Sequence, residues 1–165
     1  MIDGALVFIS PQRRFHQRLI RGLTERLDAQ APAHLSAVDQ MDVMLGHRMR
    51  PCPDVLAIDA AAAADNERTF YVAAEVHLVV EIVSPGSVDR DRKTKPQRYA
   101  EAGIPNFWRV EEWRVEENDG RPVVYVYEID PATGAYSVTG IHHDRLAVSV
   151  PFTIDIDLNA LLGRV

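Results

Sequence analysis

Cysteine is nearly absent from this sequence, and so are long apolar runs. Cys52 is the only cysteine in 165 residues, which excludes an internal disulfide and any zinc site built from several cysteines. No apolar stretch approaches the roughly 18 residues that a membrane-spanning helix needs. The first ten residues also lack the basic leader of a secretory signal. We therefore expect a cytoplasmic protein that does not contact a membrane.

A strong excess of positive charge is also missing. The net charge of −6 argues against indiscriminate nucleic-acid binding, which strongly basic surfaces favour. The distribution is uneven, however, because residues 10–26 contain five arginines and one acid, and residues 88–98 contain five cations and two acids. Two basic patches on an acidic protein suit local contact with phosphate groups, although solvated helix faces would explain either patch equally well.

What is present has the proportions of a globular protein. Apolar residues make up 47% and charged residues 25% of the chain, both ordinary values for a folded domain. The length is sufficient for one domain with a real core and small for two. We expect a single domain over residues 1–165.

The hydrophobic pattern predicts strands that alternate with helices. Strands are expected at residues 4–10, 41–46, 54–59, 77–83, 106–113, 122–130 and 135–141, with 131–134 as a hairpin turn between the last two. An amphipathic helix is expected over 13–30, a second helix ends before Gly103, and 157–163 forms a short closing helix. This order predicts a mixed α/β or α+β domain.

The start of the second helix is ambiguous because Pro96 is acceptable only in a first helical turn. Thr94 and Gln97 match a capping box, so we expect Thr94 to cap the helix. The alternatives are a kinked start, or an earlier cap at Asp91 that would place Pro96 too deep in the helix.

Glu81 is conspicuous because it lies inside residues 77–83, which read as a strand buried on both faces. An unpaired buried carboxylate is energetically costly, so Glu81 needs a cation, either a metal ion or an arginine. Asp54 begins another apolar strand, and Lys95 follows Glu81 by fourteen residues. If the two strands are neighbours, the acids could meet at one end of the sheet beneath Lys95. These are the components of a magnesium-assisted hydrolase.

Several segments carry a resemblance to a known family. With "CPDVLAID", "HLVVEIVSPGS" and "DRKTKPQRYAEAGIPNFWRVE", the chain resembles the Uma-two family, which is grouped with restriction endonucleases in the PD-(D/E)XK nuclease superfamily. The resemblance extends from residue 3 to about residue 113. It implies a restriction endonuclease-like fold, in which helices flank a mixed β-sheet and additional antiparallel strands lie near the C-terminus. It also implies a metal-dependent endonuclease that hydrolyses phosphodiester bonds of DNA.

The resemblance also assigns roles to individual residues. Asp54 and Glu81 match the superfamily's metal-binding acids, and a strand carbonyl at Ile82 would complete the site for Mg²⁺ or Mn²⁺. The superfamily's lysine position, two residues after Glu81, is occupied by Val83. Lys95 matches the position from which this family supplies its lysine.

Two further residues match the family on helical segments. His16 matches an early histidine, expected at the rim of the active site, and Asp91 would lie four residues before Lys95 on one helix face. Lys93 is the alternative to Lys95. Cutting a duplex normally needs two sites, so the implied partners are DNA and a second copy of the chain in a homodimer. The alternative function is a catalytically inactive nuclease-fold module that acts in binding or assembly.

Overall fold

The computed structural model describes residues 1, 4–5, 13–113 and 120–162, and the structural findings concern those residues. Most of the predicted strand at residues 4–10 lies outside the described residues. The last residue of the predicted helix at 157–163 also lies outside them. Within the described part, no helix is long and apolar enough to cross a membrane.

Three helices and ten strands form the described part of the chain. The helices are α1 (Arg14–Gln30), α2 (Ala60–Ala63) and α3 (Lys95–Glu101), and a π-helical segment, Arg90–Thr94, leads directly into α3. The strands are β1 (Leu35–Asp39), β2 (Asp42–Met44), β3 (Val55–Asp59), β4 (Phe70–Val72), β5 (Val76–Ile82), β6 (Asn106–Trp113), β7 (Arg121–Ile129), β8 (Tyr136–His142), β9 (Arg145–Val148) and β10 (Ile154–Asp157). Short 3₁₀ segments occur at Ala73–Glu75 and Asn159–Leu162.

A six-stranded sheet in the order β1-β3-β5-β6-β7-β8 forms the centre of the fold. The pair β5–β6 is parallel and the other neighbouring pairs are antiparallel, so the sheet is mixed. A parallel pair, β2–β4, and an antiparallel pair, β9–β10, lie outside this sheet. The predicted mixed sheet with flanking helices and C-terminal antiparallel strands is confirmed.

Side chains that alternate along the central strands form two apolar layers, one on each face of the sheet. On one face, α1 contributes Leu19, Leu23 and Leu27 to the larger cluster, and all three are fully buried. On the other face, Tyr99 from α3 packs in a second cluster with Phe107. The sheet is therefore enclosed between α1 and α3, and β5 is buried on both faces as predicted.

The helical segment that carries Lys95 begins earlier than predicted. Thr94 has helical backbone angles and makes no side-chain capping bond, so the expected capping box is wrong. The helix instead starts at Val88 and passes through the π-helical segment, where the Lys95 N–H donates to the carbonyl of Arg90, five residues earlier. Because Pro96 has no N–H to donate, the change of hydrogen-bond register accommodates it inside the helix.

The end of α3 agrees with the sequence prediction. Gly103 has a φ of +80°, and its N–H donates to the carbonyl of Ala100 while Ile104 donates to that of Tyr99. This is the Schellman arrangement, which a glycine at this position favours.

Four short strands, β1, β4, β9 and β10, were not predicted, and neither was the four-residue helix α2. The predicted strand at 41–46 is reduced to three residues in β2, and the closing helix is a 3₁₀ turn. The unpredicted strands have three to five residues each, which is too short for periodicity to separate a strand from a loop.

Candidate active site

The antiparallel register of β3 and β5 brings the two predicted acids to the same end of the sheet. Val55, the first residue of β3, pairs with Val80, so Asp54 lies at the strand end beside Glu81. Asp54 Oδ2 accepts a hydrogen bond of 2.7 Å from the backbone N–H of Ile82. The predicted proximity of the two acids is therefore present in the structure.

The second oxygen of Asp54 contacts the first helix. His16 Nε2 lies 2.9 Å from Asp54 Oδ1, and because a carboxylate oxygen can only accept, the imidazole donates. His16 is buried, and its Nδ1 has no hydrogen-bond partner within the residues that the structure describes. The structure thus places His16, which the resemblance expected at the rim of the active site, against Asp54 in a buried position.

Glu81 is 1% exposed and each of its oxygens has a partner. Lys95 Nζ donates to Oε2 at 2.7 Å, and the hydroxyl of Tyr99 donates to Oε1 at 2.6 Å. The sequence pointed to a metal ion or an arginine as the compensating cation. In the structure the cation is a lysine, delivered by the helix that follows β5.

A second buried acid shares that lysine. Lys95 Nζ lies 2.9 Å from Oδ1 of Asp91, which is 2% exposed and precedes Lys95 by four residues on the same helical segment. The predicted Asp91–Lys95 pairing is therefore found. Lys93 is 80% exposed and lies beside Asp89, so Lys95 is the lysine that faces the two acids.

The charges in this cluster do not balance. When all three are ionised, Asp54, Glu81 and Asp91 supply three carboxylates against the one ammonium group of Lys95. Burial raises the pKa of Glu81 to about 8; Lys95 acts against this shift, and the neighbouring Asp91 and Asp54 add to it. Burial lowers the pKa of Lys95, but Glu81 and Asp91 outweigh it and hold the pKa above its usual value. The cluster has an excess of negative charge that another cation would relieve.

Sequence reasoning missed the role of Tyr99. Its ring is fully buried, and its hydroxyl is a direct partner of Glu81. Burial, followed by the proximity of Glu81, raises the pKa of Tyr99 well above its usual value, so the phenol stays protonated and donates. The signal was its position four residues after Lys95, which places both side chains on one helix face.

The donor atoms suit a hard divalent cation without enclosing one. In the described ranges, no group of three or more His, Cys, Asp and Glu side chains is arranged to hold a metal ion. Mg²⁺ commonly binds through one or two carboxylates and completes its shell with water and substrate phosphates. Asp54 and Glu81 supply carboxylate oxygens of this kind, and each of those oxygens is hydrogen-bonded to a protein group in the structure.

Comparisons with known proteins agree with this architecture. The chain is similar to a solved structure described as "Crystal structure of a putative nuclease belonging to DUF820 from Anabaena variabilis ATCC 29413", with a TM-score of 0.72 and 15% sequence identity. The similarity covers 98% of this chain and 88% of that one, and it shows a common fold. No curated protein matches. The family model Uma2, described as "Putative restriction endonuclease", matches residues 1–160, and the chain therefore belongs to the Uma2 family.

Proposed function

We propose that this protein is a metal-dependent endonuclease that hydrolyses phosphodiester bonds of DNA. Its membership of a family described as restriction endonucleases supports a nuclease activity. The observation that carries the proposal is the position of Asp54 beside Glu81 at one end of the sheet, next to a buried cluster that has more carboxyl groups than cations. Such a cluster is suited to attract a divalent cation.

Asp54, Glu81 and the Ile82 carbonyl are the groups that would hold Mg²⁺ or Mn²⁺. A bound ion of this kind supplies Lewis-acid stabilisation of the phosphoryl oxygens and lowers the pKa of a bound water. Ile82 would have two roles, because besides its carbonyl, which would bind the ion, its backbone N–H donates a hydrogen bond to Oδ2 of Asp54. The strand backbone thereby sets the distance between the two acids.

Lys95 acts as a cation in this proposal and not as a base. The two carboxylates beside it hold its pKa above the usual value, so the amine remains protonated at neutral pH. An ammonium group at the edge of the acidic cluster can orient a water molecule by donation. It can also stabilise the negative charge that develops on the phosphate in the transition state.

His16 and Tyr99 act as positioning residues. His16 holds Asp54 from α1, and Tyr99 holds Glu81 from α3, each through one hydrogen bond to a carboxylate oxygen. Residues that orient metal-binding carboxylates commonly have a large effect on metal affinity. The two acids are therefore braced from opposite faces of the sheet.

The expected homodimer is part of the proposal, because cutting both strands of a duplex normally needs two such sites. Light scattering coupled to size-exclusion chromatography measures the mass directly. A mass near twice 18.5 kDa is expected, and a monomer that still cuts both strands would contradict this part of the proposal.

Glu81→Gln is the variant that tests the activity. The wild-type protein should cleave DNA with Mg²⁺ or Mn²⁺ and should not do so in EDTA, whereas Glu81→Gln should be inactive with an unchanged circular dichroism spectrum. Glu25→Gln is the matched control, since Glu25 lies exposed on α1 and pairs with Arg21. Full activity of Glu81→Gln would refute the assignment.

The alternative, an inactive binding or assembly module, predicts a different pair of results. The wild-type protein would then cleave none of the DNA and RNA substrates offered to it, and calorimetry would detect no saturable Mn²⁺ binding.

A further inference from the structure

A cleft of about 430 Å³ lies between α3 and the strands β6 to β8. This volume is within the usual range for small-molecule sites, about 300 to 1,000 Å³. Its lining includes Arg92, Gln97 and Glu101 from the helical segment and Arg109, Tyr127 and Tyr136 from the sheet. The cleft thus combines aromatic and charged side chains and belongs to none of the contacts assigned above.

Aromatic rings form the floor of the cleft. The ring of Phe107 is stacked on that of Tyr136 with 5.5 Å between centroids, and Tyr127 lies 5.5 Å from Phe107 on another side. Tyr127 and Tyr136 are only partly buried. Tyr136 is also fixed in place, because its hydroxyl donates to the carbonyl of Ile104 at 2.7 Å. A fixed, partly accessible aromatic surface is what a planar base stacks on.

Two guanidinium groups share one carboxylate at the end of this floor. Arg92 donates to both oxygens of Glu111, and Arg109 Nε lies 2.7 Å from Glu111 Oε1. Arg109 also lies over the Tyr125 ring, 4.4 Å from its centroid. This trio carries one positive charge in excess, next to a surface for stacking. An anionic group attached to a planar ring matches that combination.

The cleft adjoins the candidate active site through shared residues. Tyr99 donates to Glu81 with its hydroxyl, and its ring lies 6.1 Å from that of Phe107 in the floor of the cleft. Arg92 directly follows Asp91, which contacts Lys95. The helical segment from Arg90 to Glu101 therefore contributes residues both to the acidic cluster and to the cleft.

We propose that this cleft binds one unstacked nucleotide of a single-stranded substrate segment, with its base on Tyr127 and Tyr136 and its phosphate at Arg92 and Arg109. The inference rests on the proposed nuclease function and names the class of its substrate. A base inside a duplex is stacked on both faces and must be unpaired and unstacked before it can enter the cleft, at an energetic cost that a single strand does not have. The cleft therefore favours DNA that is single-stranded, or locally unpaired, where it is cut.

Fluorescence anisotropy in EDTA tests binding without cleavage. The probes are a short fluorescein-labelled single-stranded oligonucleotide and the duplex of the same sequence. Ala135→Trp places a bulky ring at the mouth of the cleft, and Arg92→Gln removes an exposed guanidinium that lines it. We expect the single strand to bind more tightly than the duplex, and each variant to lose at least about fivefold in affinity for the single strand.

Ala132→Trp is the matched control, because Ala132 is exposed in the same turn and does not line the cleft. Its affinity should stay within about twofold of the wild-type value, as for a surface change. Unchanged affinity in Ala135→Trp, or equal binding of duplex and single strand by the wild-type protein, would overturn the inference.

The two proposals fail in different ways. If Ala135→Trp binds normally while the wild-type protein cleaves and Glu81→Gln does not, the cleft assignment is wrong and the nuclease assignment stands. If Ala135→Trp loses binding but the wild-type protein cleaves nothing with either metal, the cleft assignment is supported and the nuclease assignment fails.

Discussion

Lys95 Nζ lies 2.7 Å from Oε2 of Glu81, and both side chains are largely buried. The two residues come from different elements, a central strand and the helix that follows it. A carboxylate buried inside an apolar strand requires a compensating positive charge. For Glu81 that charge is supplied by Lys95, which lies fourteen residues later in the chain.

Replacing Lys95 with methionine should destabilise the fold. Glu81 and Asp91 would remain buried without their shared cation, and breaking a buried ion pair in this way costs about 3 kcal/mol. Urea denaturation near pH 8 measures the loss. The matched variant Lys93→Met removes an exposed lysine and should change the free energy of unfolding by less than about 1 kcal/mol. Equal effects of the two substitutions would contradict the proposed pairing.

Tyr99→Phe removes one buried hydroxyl and leaves the ring. Glu81 Oε1 would lose its hydrogen-bond donor, and we expect a loss of about 1 to 3 kcal/mol in the free energy of unfolding. Tyr71→Phe is the control on the same side of the sheet, because Tyr71 packs in the same apolar cluster without contacting the acids. Urea denaturation of both variants makes the comparison. A neutral Tyr99→Phe would show that its hydroxyl does not hold Glu81.

Stability of the metal-free protein should depend on pH through Glu81. Burial raises its pKa to about 8, from 4.5 in the unfolded chain. Between these values the folded chain keeps a proton that the unfolded chain has lost, so the free energy of unfolding falls as pH rises through that window. Below pH 4.5 the contribution is fully present, and above about pH 8 it is lost.

Urea denaturation in EDTA at intervals across this window measures the slope. Glu81→Gln removes the titrating group, so the fall in stability should be smaller in that variant. Parallel profiles for the two proteins would show that Glu81 does not carry the dependence.

His16→Ala should weaken metal binding without unfolding the protein. The imidazole fixes Asp54 Oδ1, and loss of such an orienting partner typically reduces metal affinity by about 10- to 100-fold. Isothermal titration with Mn²⁺ measures the affinity, and His16→Gln, which can still donate, should recover part of it. His34→Ala is the control, because His34 is exposed in the turn just before β1. Unchanged Mn²⁺ affinity in His16→Ala would remove His16 from the site.

The sequence predicted the central elements well because their patterns are long. Nearly continuous apolar character predicted β5, and helical periodicity predicted α1. The proximity of Asp54 and Glu81 could be predicted from the sequence because sequential strands tend to be neighbours in a sheet. Short strands such as β10 left too few residues for the same reasoning.

The details of the site depend on three-dimensional features that no local pattern contains. The π-helical register allows Pro96 to follow Lys95. It depends on the hydrogen bond from the Lys95 N–H to the carbonyl of Arg90, which the sequence alone does not specify. Tyr99 satisfied the apolar pattern of a core residue, and its hydroxyl partner became visible only with the packing of α3 on the sheet. The cleft needs the order of β6, β7 and β8, which brings Arg109 and Tyr127 together from separate strands.

An anomalous difference map from a crystal grown with Mn²⁺ tests the central claim most directly. We predict a single peak within about 2.1 to 2.6 Å of one carboxylate oxygen of Asp54, one of Glu81 and the carbonyl of Ile82, with Lys95 moved away from Glu81 Oε2. A map without a peak at this position, in which Lys95 still contacts Glu81, would contradict the claim that these acids form a metal site.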